Sequence, residues 1–200
     1  MRVVKKPEER RAEMVAAAEQ LFARQGFVRT SVAEIVAAVD VAKGLFYYYF
    51  TTKDDMVKAV VEGYCCYLGS VAEQIADKEG TAREKFERLL HHEVWSKCFT
   101  APLVADLCLP QHAALYTDMC DRVYNHMAPA LERIAAQEFL ERGMTQTQAE
   151  EEAHRVVGVG LYGLLMMARR GAITMGSAED MVRKLIGYKP RICKSSERSA

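Results

Sequence analysis

The chain has 200 residues, of which 50% are hydrophobic and 27% are charged, and its 27 basic and 27 acidic residues leave no net charge. This composition is typical of a soluble globular protein with one or two domains, and it excludes disordered and collagen-like chains. The longest apolar run, residues 156–168, has 13 residues, whereas a membrane-spanning helix needs roughly 20. The first residues, MRVVKKPEERR, lack the apolar core of a secretory signal peptide. We therefore expect a cytoplasmic protein without membrane contact, whose six cysteines are mostly reduced.

The apolar residues of the N-terminal quarter follow helical spacing, and the sequence has no β-alternation of any length. A first helix is predicted over Pro7–Gln25, with Gly26 as its left-handed cap. Its inward face carries Met14, Ala18, Leu21 and Phe22. Ser31 and Glu34 match the capping box that begins a second helix, and a third helical segment is predicted over residues 42–50. Three short helices with a tight turn at residues 39–42 are the helix-turn-helix arrangement.

Longer helices are predicted for the rest of the chain, without an internal repeat or a long linker. Their predicted ranges are residues 54–78, 82–99, 110–142, 146–170 and 178–186. The predicted fold class is therefore all-α, with about nine or ten helices.

The third helical segment has more aromatic side chains than one helix face can bury. Phe46, Tyr49 and Phe50 recur at steps of three and four, so we predict that they pack inward. The residues left facing outward are Lys43, Gly44, Leu45, Tyr47 and Tyr48. Lysine can donate to guanine, leucine can contact the thymine methyl group, and tyrosine hydroxyls can bind phosphate oxygens. This pattern favours a recognition helix in the major groove of DNA, and the basic excess of residues 1–53 agrees with a polyanionic partner.

The order and spacing of these residues resemble the N-terminal domain of TetR-type transcriptional regulators. The matching residues are Leu21-Phe22, Gly26-Phe27, Thr30-Ser31-Val32-x-x-Ile35 and Val41-x-Lys43-Gly44-x-Phe46-Tyr47-x-Tyr49-Phe50-x-x-Lys53-Asp54. The resemblance is close over residues 8–62 and implies a three-helix helix-turn-helix domain joined to a helical ligand-binding and dimerisation domain. It divides the chain into a DNA-binding domain with a basic N-terminal arm (residues 1–53), a ligand-binding and dimerisation domain (residues 54–187) and a mobile tail (residues 188–200).

The resemblance also implies roles for individual residues in the first domain. Phosphate contacts are expected from Thr30, Ser31, Tyr47 and Lys53, and base contacts from Lys43, Gly44, Leu45 and Tyr48. The chain departs from the family pattern at Asp40, where glycine is usual, and at Ala42, where serine or threonine is usual. Leu45 and Tyr48 also replace the common threonine and histidine, so the base preference of a relative does not transfer to this chain.

The C-terminal part is expected, from the resemblance, to form a homodimer and to bind a small inducer. Glycines within an apolar helix indicate close approach of another helix, either in a partner or in the core of the same chain. The predicted dimer interface is Gly160, Gly163, Leu164 and Met167, on helices extending over residues 127–142 and 154–170. The predicted pocket for a hydrophobic or aromatic ligand consists of Tyr64, Tyr67, His91, Trp95, Cys98, His112, Tyr116 and Met119. Stripes of this kind also occur in ordinary helical cores.

Motifs for other activities are absent from the sequence. There is no G-x-S-x-G, no H-E-x-x-H and no phosphate-binding glycine loop, so we predict no enzyme activity, catalytic residue or cofactor. No C-x-x-C pair is present and no metal site is predicted, although His91, Cys98 and Cys108 could converge in three dimensions. The predicted function is a repressor that releases a palindromic DNA operator when it binds its ligand. The alternative is a thiol- or metal-responsive regulator that uses cysteine and histidine residues of the C-terminal part.

Overall fold

The computed structural model describes residues 6–91 and 93–171, and within these ranges it contains nine α-helices and no strand. The helices are α1 (Pro7–Gln25), α2 (Val32–Ala38), α3 (Lys43–Tyr49), α4 (Lys53–Ala76), α5 (Ala82–Leu90), α6 (Val94–Cys98), α7 (Ala101–Cys108), α8 (Ala113–Glu141) and α9 (Gln146–Arg169). A short 3-10 turn, Pro110–His112, joins α7 to α8. The all-α prediction is confirmed. The predicted helix 178–186, the tail and the first five residues lie outside the described residues.

The three N-terminal helices form around a small aromatic core. The predicted inward face of α1 is confirmed, because its four apolar residues are all buried. Phe22, Phe27 and Phe46 are at most 1% exposed and lie together with Ile35 in this core. Burying each such side chain contributes about 1.5–3 kcal/mol relative to exposure, which explains how a unit of three short helices is held together.

Side-chain caps fix where several helices begin. Ser31, Thr52, Thr81 and Thr145 each accept a hydrogen bond from the backbone N–H three residues later. The predicted capping box of Ser31 and Glu34 is confirmed, with the Glu34 carboxylate accepting from the Ser31 N–H at 2.7 Å. Each such cap contributes about 1 kcal/mol, so the helix starts are encoded locally in the sequence.

The predicted continuous helix over residues 82–99 is wrong. Helix α5 ends at Leu90, and His91 has φ −94° and ψ 7°, outside the helical geometry that would continue α5. The chain resumes helical structure in α6, where the indole N–H of Trp95 donates to the backbone oxygen of Leu89 at 2.8 Å. This hydrogen bond satisfies a carbonyl at the end of α5. His91 therefore lies at the end of α5 and does not share a helix face with Trp95 and Cys98, which both belong to α6.

The C-terminal part is built on α8, which packs against α4 on one side and α9 on the other. An ideal Cβ atom at Gly69 of α4 would lie 2.7 Å from the backbone oxygen of His126 on α8. Only glycine permits this close approach of the two helix backbones. The hydroxyl of Tyr116 donates to the backbone oxygen of Leu165 at 2.5 Å and so connects α8 to α9.

No helix among the described residues is both long enough and apolar enough to cross a membrane.

Candidate functional site

The turn between α2 and α3 contains the one described non-glycine residue with positive φ. Asp40 has φ 51°, which lies in the left-handed region that glycine adopts without steric cost. Aspartate is one of the few other residues that tolerate this conformation. The Val41 N–H donates to the backbone oxygen of Val36 at 3.0 Å and closes the turn. The geometry explains why glycine is usual at this position and why aspartate can replace it.

Helix α3 begins without a side-chain cap. Ala42 occupies the N-cap with φ −71° and ψ 144°, the extended geometry of an ordinary N-cap residue, but it has no acceptor atom. We expect Ala42→Ser to raise the free energy of unfolding by about 1 kcal/mol, because the serine hydroxyl would accept from a backbone N–H in the first turn of α3. Chemical denaturation of the two proteins measures the difference. An unchanged or lower stability of Ala42→Ser would contradict the assigned cap position.

The outward face of α3 carries exposed aromatic and basic side chains. Tyr48 is 75% exposed and Tyr47 is 52% exposed, and Lys43 and Gly44 are also exposed. A Cβ atom at Gly44 would have no neighbour within 4 Å, so the surface beside it is open. Leu45, expected to face outward, is half-buried and packs against the hydrophobic core.

Aromatic contacts from the inner side of α3 hold the exposed tyrosines in place. The Tyr47 ring meets the Phe46 ring edge-on, with centroids 5.3 Å apart. The Tyr48 ring meets the half-buried Tyr49 ring in the same way at 4.9 Å. Phe46 and Phe50 are buried, which anchors the helix in the core as predicted. Both exposed hydroxyl groups are thus presented on a rigid support.

The three residues implied as phosphate contacts outside α3 have internal partners. Thr30 is 1% exposed, and its hydroxyl donates to the backbone oxygen of Gly26 at 2.7 Å, so this hydroxyl does not reach the surface. The Lys53 ammonium donates to the backbone oxygens of Phe27, Val28 and Thr30 at 2.9, 3.4 and 3.3 Å. The exposed Ser31 caps α2. The backbone N–H of Thr30 also donates within the loop, to the backbone oxygen of Phe27 at 3.3 Å. The side chains of Thr30 and Lys53 are thus engaged inside the protein, and a phosphate contact of Lys53 would have to come from its backbone N–H.

The loop between α1 and α2 also contacts the C-terminal part of the chain. The Val28 N–H donates to the carboxylate of Asp106 on α7 at 2.8 Å. The ring of His112 lies on the ring of Phe27, with centroids 4.8 Å apart, and its Nδ1 is 2.7 Å from the backbone oxygen of Asp106. We refer to these four residues (Phe27, Val28, Asp106 and His112) as the α7 contact. This contact was not predictable from the sequence, because Val28 and Asp106 are 78 positions apart.

Comparison with known families identifies the N-terminal unit. The family model for bacterial regulatory proteins of the tetR family matches residues 14–60, which span most of α1, the helix-turn-helix and the start of α4. Residues 14–60 are therefore similar to the N-terminal domain of TetR-family regulators. The resemblance inferred from the sequence motifs is thereby confirmed.

Curated relatives within the TetR family are transcription regulators by name. The repressor NemR of Escherichia coli (strain K12) is 29% identical over 107 residues, 49% of this chain and 54% of NemR. The regulator HbdR of Aromatoleum sp. (strain CIB) is 33% identical over 91 residues, 46% of this chain and 38% of HbdR. The repressor KstR2 of Mycobacterium tuberculosis (strain CDC 1551 / Oshkosh) is 27% identical over 99 residues, which are 46% of this chain and 50% of KstR2. The matched region spans about half the length of these relatives or less.

Solved structures extend the likeness of fold to the C-terminal helices. The structure of RolR in complex with resorcinol has a TM-score of 0.64 at 19% identity and covers 92% of this chain and 90% of RolR. A TetR/AcrR-family regulator from Thermobifida fusca YX-ER1 has a TM-score of 0.58 at 20% identity, and the match covers 90% of this chain and 99% of that regulator. At these identities the likeness shows the fold alone.

The eight residues predicted for the ligand pocket differ in their exposure. Tyr67 and His91 are exposed, and Trp95 and His112 are half-buried. Tyr64, Cys98, Tyr116 and Met119 are buried. The Tyr64 ring meets the Phe99 ring edge-on at 6.1 Å, so α4 contacts the end of α6. Next to Phe99, the hydroxyl oxygen of Thr100 is buried and has no hydrogen-bond partner within the described structure.

An open cleft of about 480 Å³ lies between α4 and the α5–α6 region. Its lining residues are Val71, Gln74, Ile75, Lys78, Arg88, His91 and Glu93. Of the predicted pocket residues, only His91 takes part in it. This cleft was not predicted from the sequence, because residues 82–99 were expected to form one helix.

The residues predicted for the dimer interface differ in their accessibility within the single chain. Gly160 is buried, whereas Gly163 is exposed and a Cβ atom there would have no neighbour within 4 Å. Leu164 and Met167 are half-buried. Val159 of α9, which was not predicted, is 69% exposed. Val159 and the predicted Gly163, one helical turn apart, thus form an exposed apolar patch on α9 beside the buried Gly160.

The described cysteines carry free thiols, and most of them are buried. Burial raises the pKa of Cys65 and of Cys120 to about 12 and the pKa of Cys98 to about 11. Such thiols are protonated at neutral pH and react slowly with oxidants. Cys66 is the exposed one among the described cysteines.

Proposed function

We propose that the chain is a transcriptional repressor that binds an operator in double-stranded DNA through the outward face of α3. The observation that carries the proposal is the exposure of Lys43, Gly44, Tyr47 and Tyr48 on a helix whose inner side is anchored by buried phenylalanines. Lysine can read guanine in the major groove, and tyrosine hydroxyls can bind phosphate. NemR and KstR2 are both named as repressors, which supports repression by this chain.

Capture of sheared genomic DNA by the purified full-length chain tests this function. One or a few enriched sites, each with two related half-sites, are expected. In a homodimer the two copies of α3 would enter successive major grooves, about 34–36 Å apart, so the operator should be palindromic. Uniform recovery of the genome, after refolding of the protein to strip any bound ligand, would contradict the proposal.

The dimer that this operator requires would use the exposed apolar patch on α9. We expect Val159→Asp to raise the dimer dissociation constant by roughly tenfold or more, because a carboxylate would lose its water at an apolar interface. Sedimentation velocity over a concentration series measures the change. The matched control is Tyr67→Asp on α4, where the native side chain is 44% exposed and the dimer should be unaffected. Equal dimer stability of Val159→Asp and wild type would contradict this interface.

The inducer site of the proposed repressor would lie where α4 meets the end of α6. Tyr64, Cys98 and Phe99 supply apolar surface there, and the unpartnered hydroxyl of Thr100 supplies a polar group that a ligand could satisfy. A buried hydroxyl without a partner costs about 1–3 kcal/mol, which a ligand donor or acceptor would recover. We therefore propose a small hydrophobic or aromatic ligand with at least one polar atom.

Trp95, the single tryptophan of the chain, reports on this region. Binding of an apolar fluorescent probe, 8-anilinonaphthalene-1-sulfonate, should quench its fluorescence, and the probe should release captured DNA. Release requires that the ligand binds the two conformations of the protein with different affinities. The α7 contact and the Lys53 hydrogen bonds are two physical links through which such a change would reach the helix-turn-helix. Quenching without any change in DNA affinity would contradict the regulatory part of the proposal.

A further inference from the structure

Three side chains with metal-binding chemistry meet across the contact between α4 and α8. Glu62 and Cys66 are four residues apart on α4, and His126 lies opposite them on α8. The Cys66 Sγ is 3.6 Å from Glu62 Oε1 and 3.9 Å from His126 Nε2. The His126 Nε2 is 3.0 Å from Glu62 Oε1. One oxygen, one sulfur and one nitrogen atom thus form a triangle at the protein surface.

The size of this triangle matches the spacing of ligand atoms around a tetrahedral zinc ion. Zn–S, Zn–N and Zn–O bonds of about 2.3, 2.0 and 2.1 Å at tetrahedral angles put the ligand atoms about 3.4–3.6 Å apart. Each of the three observed separations is within a few tenths of an ångström of that range. Small side-chain rotations therefore suffice to seat an ion. The exposure of Cys66 leaves room for water as a fourth ligand.

A second layer of charged groups orients the carboxylate of Glu62. Arg122 of α8 binds its other oxygen, Oε2, and donates through Nε to Asp118 at 2.7 Å. This arrangement leaves Oε1 directed at Cys66 and His126. The hydrogen bond from Arg122 lowers the pKa of Glu62. Partners of this kind hold metal ligands in position in known sites.

The backbone explains why His126 comes so close to α4. Gly69 allows the backbone oxygen of His126 to approach within 2.7 Å of the place where a Cβ atom would be. Gly69 therefore acts as a positioning residue for the histidine ring. Two helices that approach closely at Gly69 bring ligands from both helices to one point.

We propose that Glu62, Cys66 and His126 bind a divalent transition-metal ion of the zinc type, which ties α4 to α8. The ligand set of one thiolate, one imidazole and one carboxylate suits zinc and cobalt and does not suit calcium or magnesium, which prefer oxygen ligands. Binding replaces the thiol proton of Cys66, which is released to solvent, and requires the neutral His126 ring to carry its proton on Nδ1 instead of on the Nε2 that faces Glu62. The site goes beyond the proposed repressor function, and its test does not depend on DNA binding.

Titration of the chelator-treated full-length chain with Co²⁺ tests the site. We expect one equivalent to produce a thiolate-to-cobalt charge-transfer band and tetrahedral d–d bands, and Zn²⁺ to abolish both by competition. Cys66→Ser should eliminate the charge-transfer band, and His126→Gln should weaken binding by about tenfold or more. Both native side chains reach the surface, and circular dichroism checks that the variants keep the helical fold.

The matched controls are Cys65→Ala, which removes the neighbouring buried thiol, and His154→Gln, which removes an exposed histidine on α9. Both should bind Co²⁺ like the wild type. No charge-transfer band, wild-type affinity in either Cys66→Ser or His126→Gln, or an equal loss in the two controls would overturn the proposal. Loss in Cys66→Ser alone would indicate a reactive thiol instead of a metal site, and it would overturn the three-ligand site.

Discussion

Replacement of Gly26 by alanine is expected to lower the free energy of unfolding by roughly 3 kcal/mol or more. Gly26 has φ 79° and ψ 163°, a backbone region that is essentially restricted to glycine. A Cβ atom there would also lie 2.3 Å from Asp106 Oδ2 and 3.2 Å from the backbone oxygen of Pro102. The substitution therefore combines backbone strain with a steric clash against α7.

Gly143→Ala is the matched control, because it introduces backbone strain without a steric clash. Gly143 has φ 90° in the turn between α8 and α9, and a Cβ atom there would have no neighbour within 4 Å. Urea denaturation of both variants and the wild type separates the strain from the clash. We expect Gly26→Ala to be clearly less stable than Gly143→Ala. Equal stability of the two variants would mean that the α7 contact does not pack as tightly against Gly26 as the structure indicates.

Replacement of Gly44 by alanine is expected to stabilise the fold and weaken DNA binding at the same time. Gly44 lies in α3, where exchange of an exposed glycine for alanine gains up to about 1 kcal/mol. The added methyl group would contact nothing in the protein. If α3 enters the major groove, the same methyl group would hold the helix away from DNA, because glycine is what allows close approach of a backbone to its ligand. We expect the affinity for the captured operator to fall by about tenfold.

Gly63→Ala on α4 provides a control of the same kind. Gly63 is an exposed helical glycine, and a Cβ atom there would also have no neighbour within 4 Å. Both variants should melt at a higher temperature than the wild type, but only Gly44→Ala should bind the operator more weakly. Equal operator affinity in the two variants would show that DNA does not approach α3 at Gly44.

Local features of the fold were predictable from the sequence because their physical causes lie within a few residues. The inward face of α1 follows from the spacing of Met14, Ala18, Leu21 and Phe22, and all four are buried. The start of α2 follows from Ser31 and Glu34, which are three residues apart and cap the helix. The helix-turn-helix was recognisable for the same reason, since its motif residues are contiguous in the chain.

Features that depend on distant partners were not predictable. The end of α5 depends on the indole of Trp95 folding back onto Leu89, although the residues of the region favour one long helix. The burial of Thr30 and the internal hydrogen bonds of the Lys53 ammonium arise from the packing of the loop after α1. The side chains of Glu62 and His126 are 64 positions apart, so only the packing of α4 against α8 reveals their proximity.

Two polar contacts connect the loop after α1 to the C-terminal part and to the start of α4. Asp106 fixes the loop after α1 from the C-terminal side, and Lys53 at the start of α4 fixes the same loop from the other side. This loop leads directly into α2 and the turn before α3. A movement of α4 or α7 would therefore change the position of α3. In the proposed dimer it would also change the spacing of the two copies of α3.

The measurement that tests the central claim most directly is the affinity of Tyr48→Ala for the captured operator, compared with Tyr67→Ala. Tyr48 and Tyr67 are both exposed, at 75% and 44%, but Tyr67 lies on α4. If the outward face of α3 binds DNA, Tyr48→Ala loses about tenfold or more in affinity, while Tyr67→Ala binds like the wild type and both variants keep its melting temperature. Wild-type affinity in Tyr48→Ala would contradict the placement of α3 in the major groove.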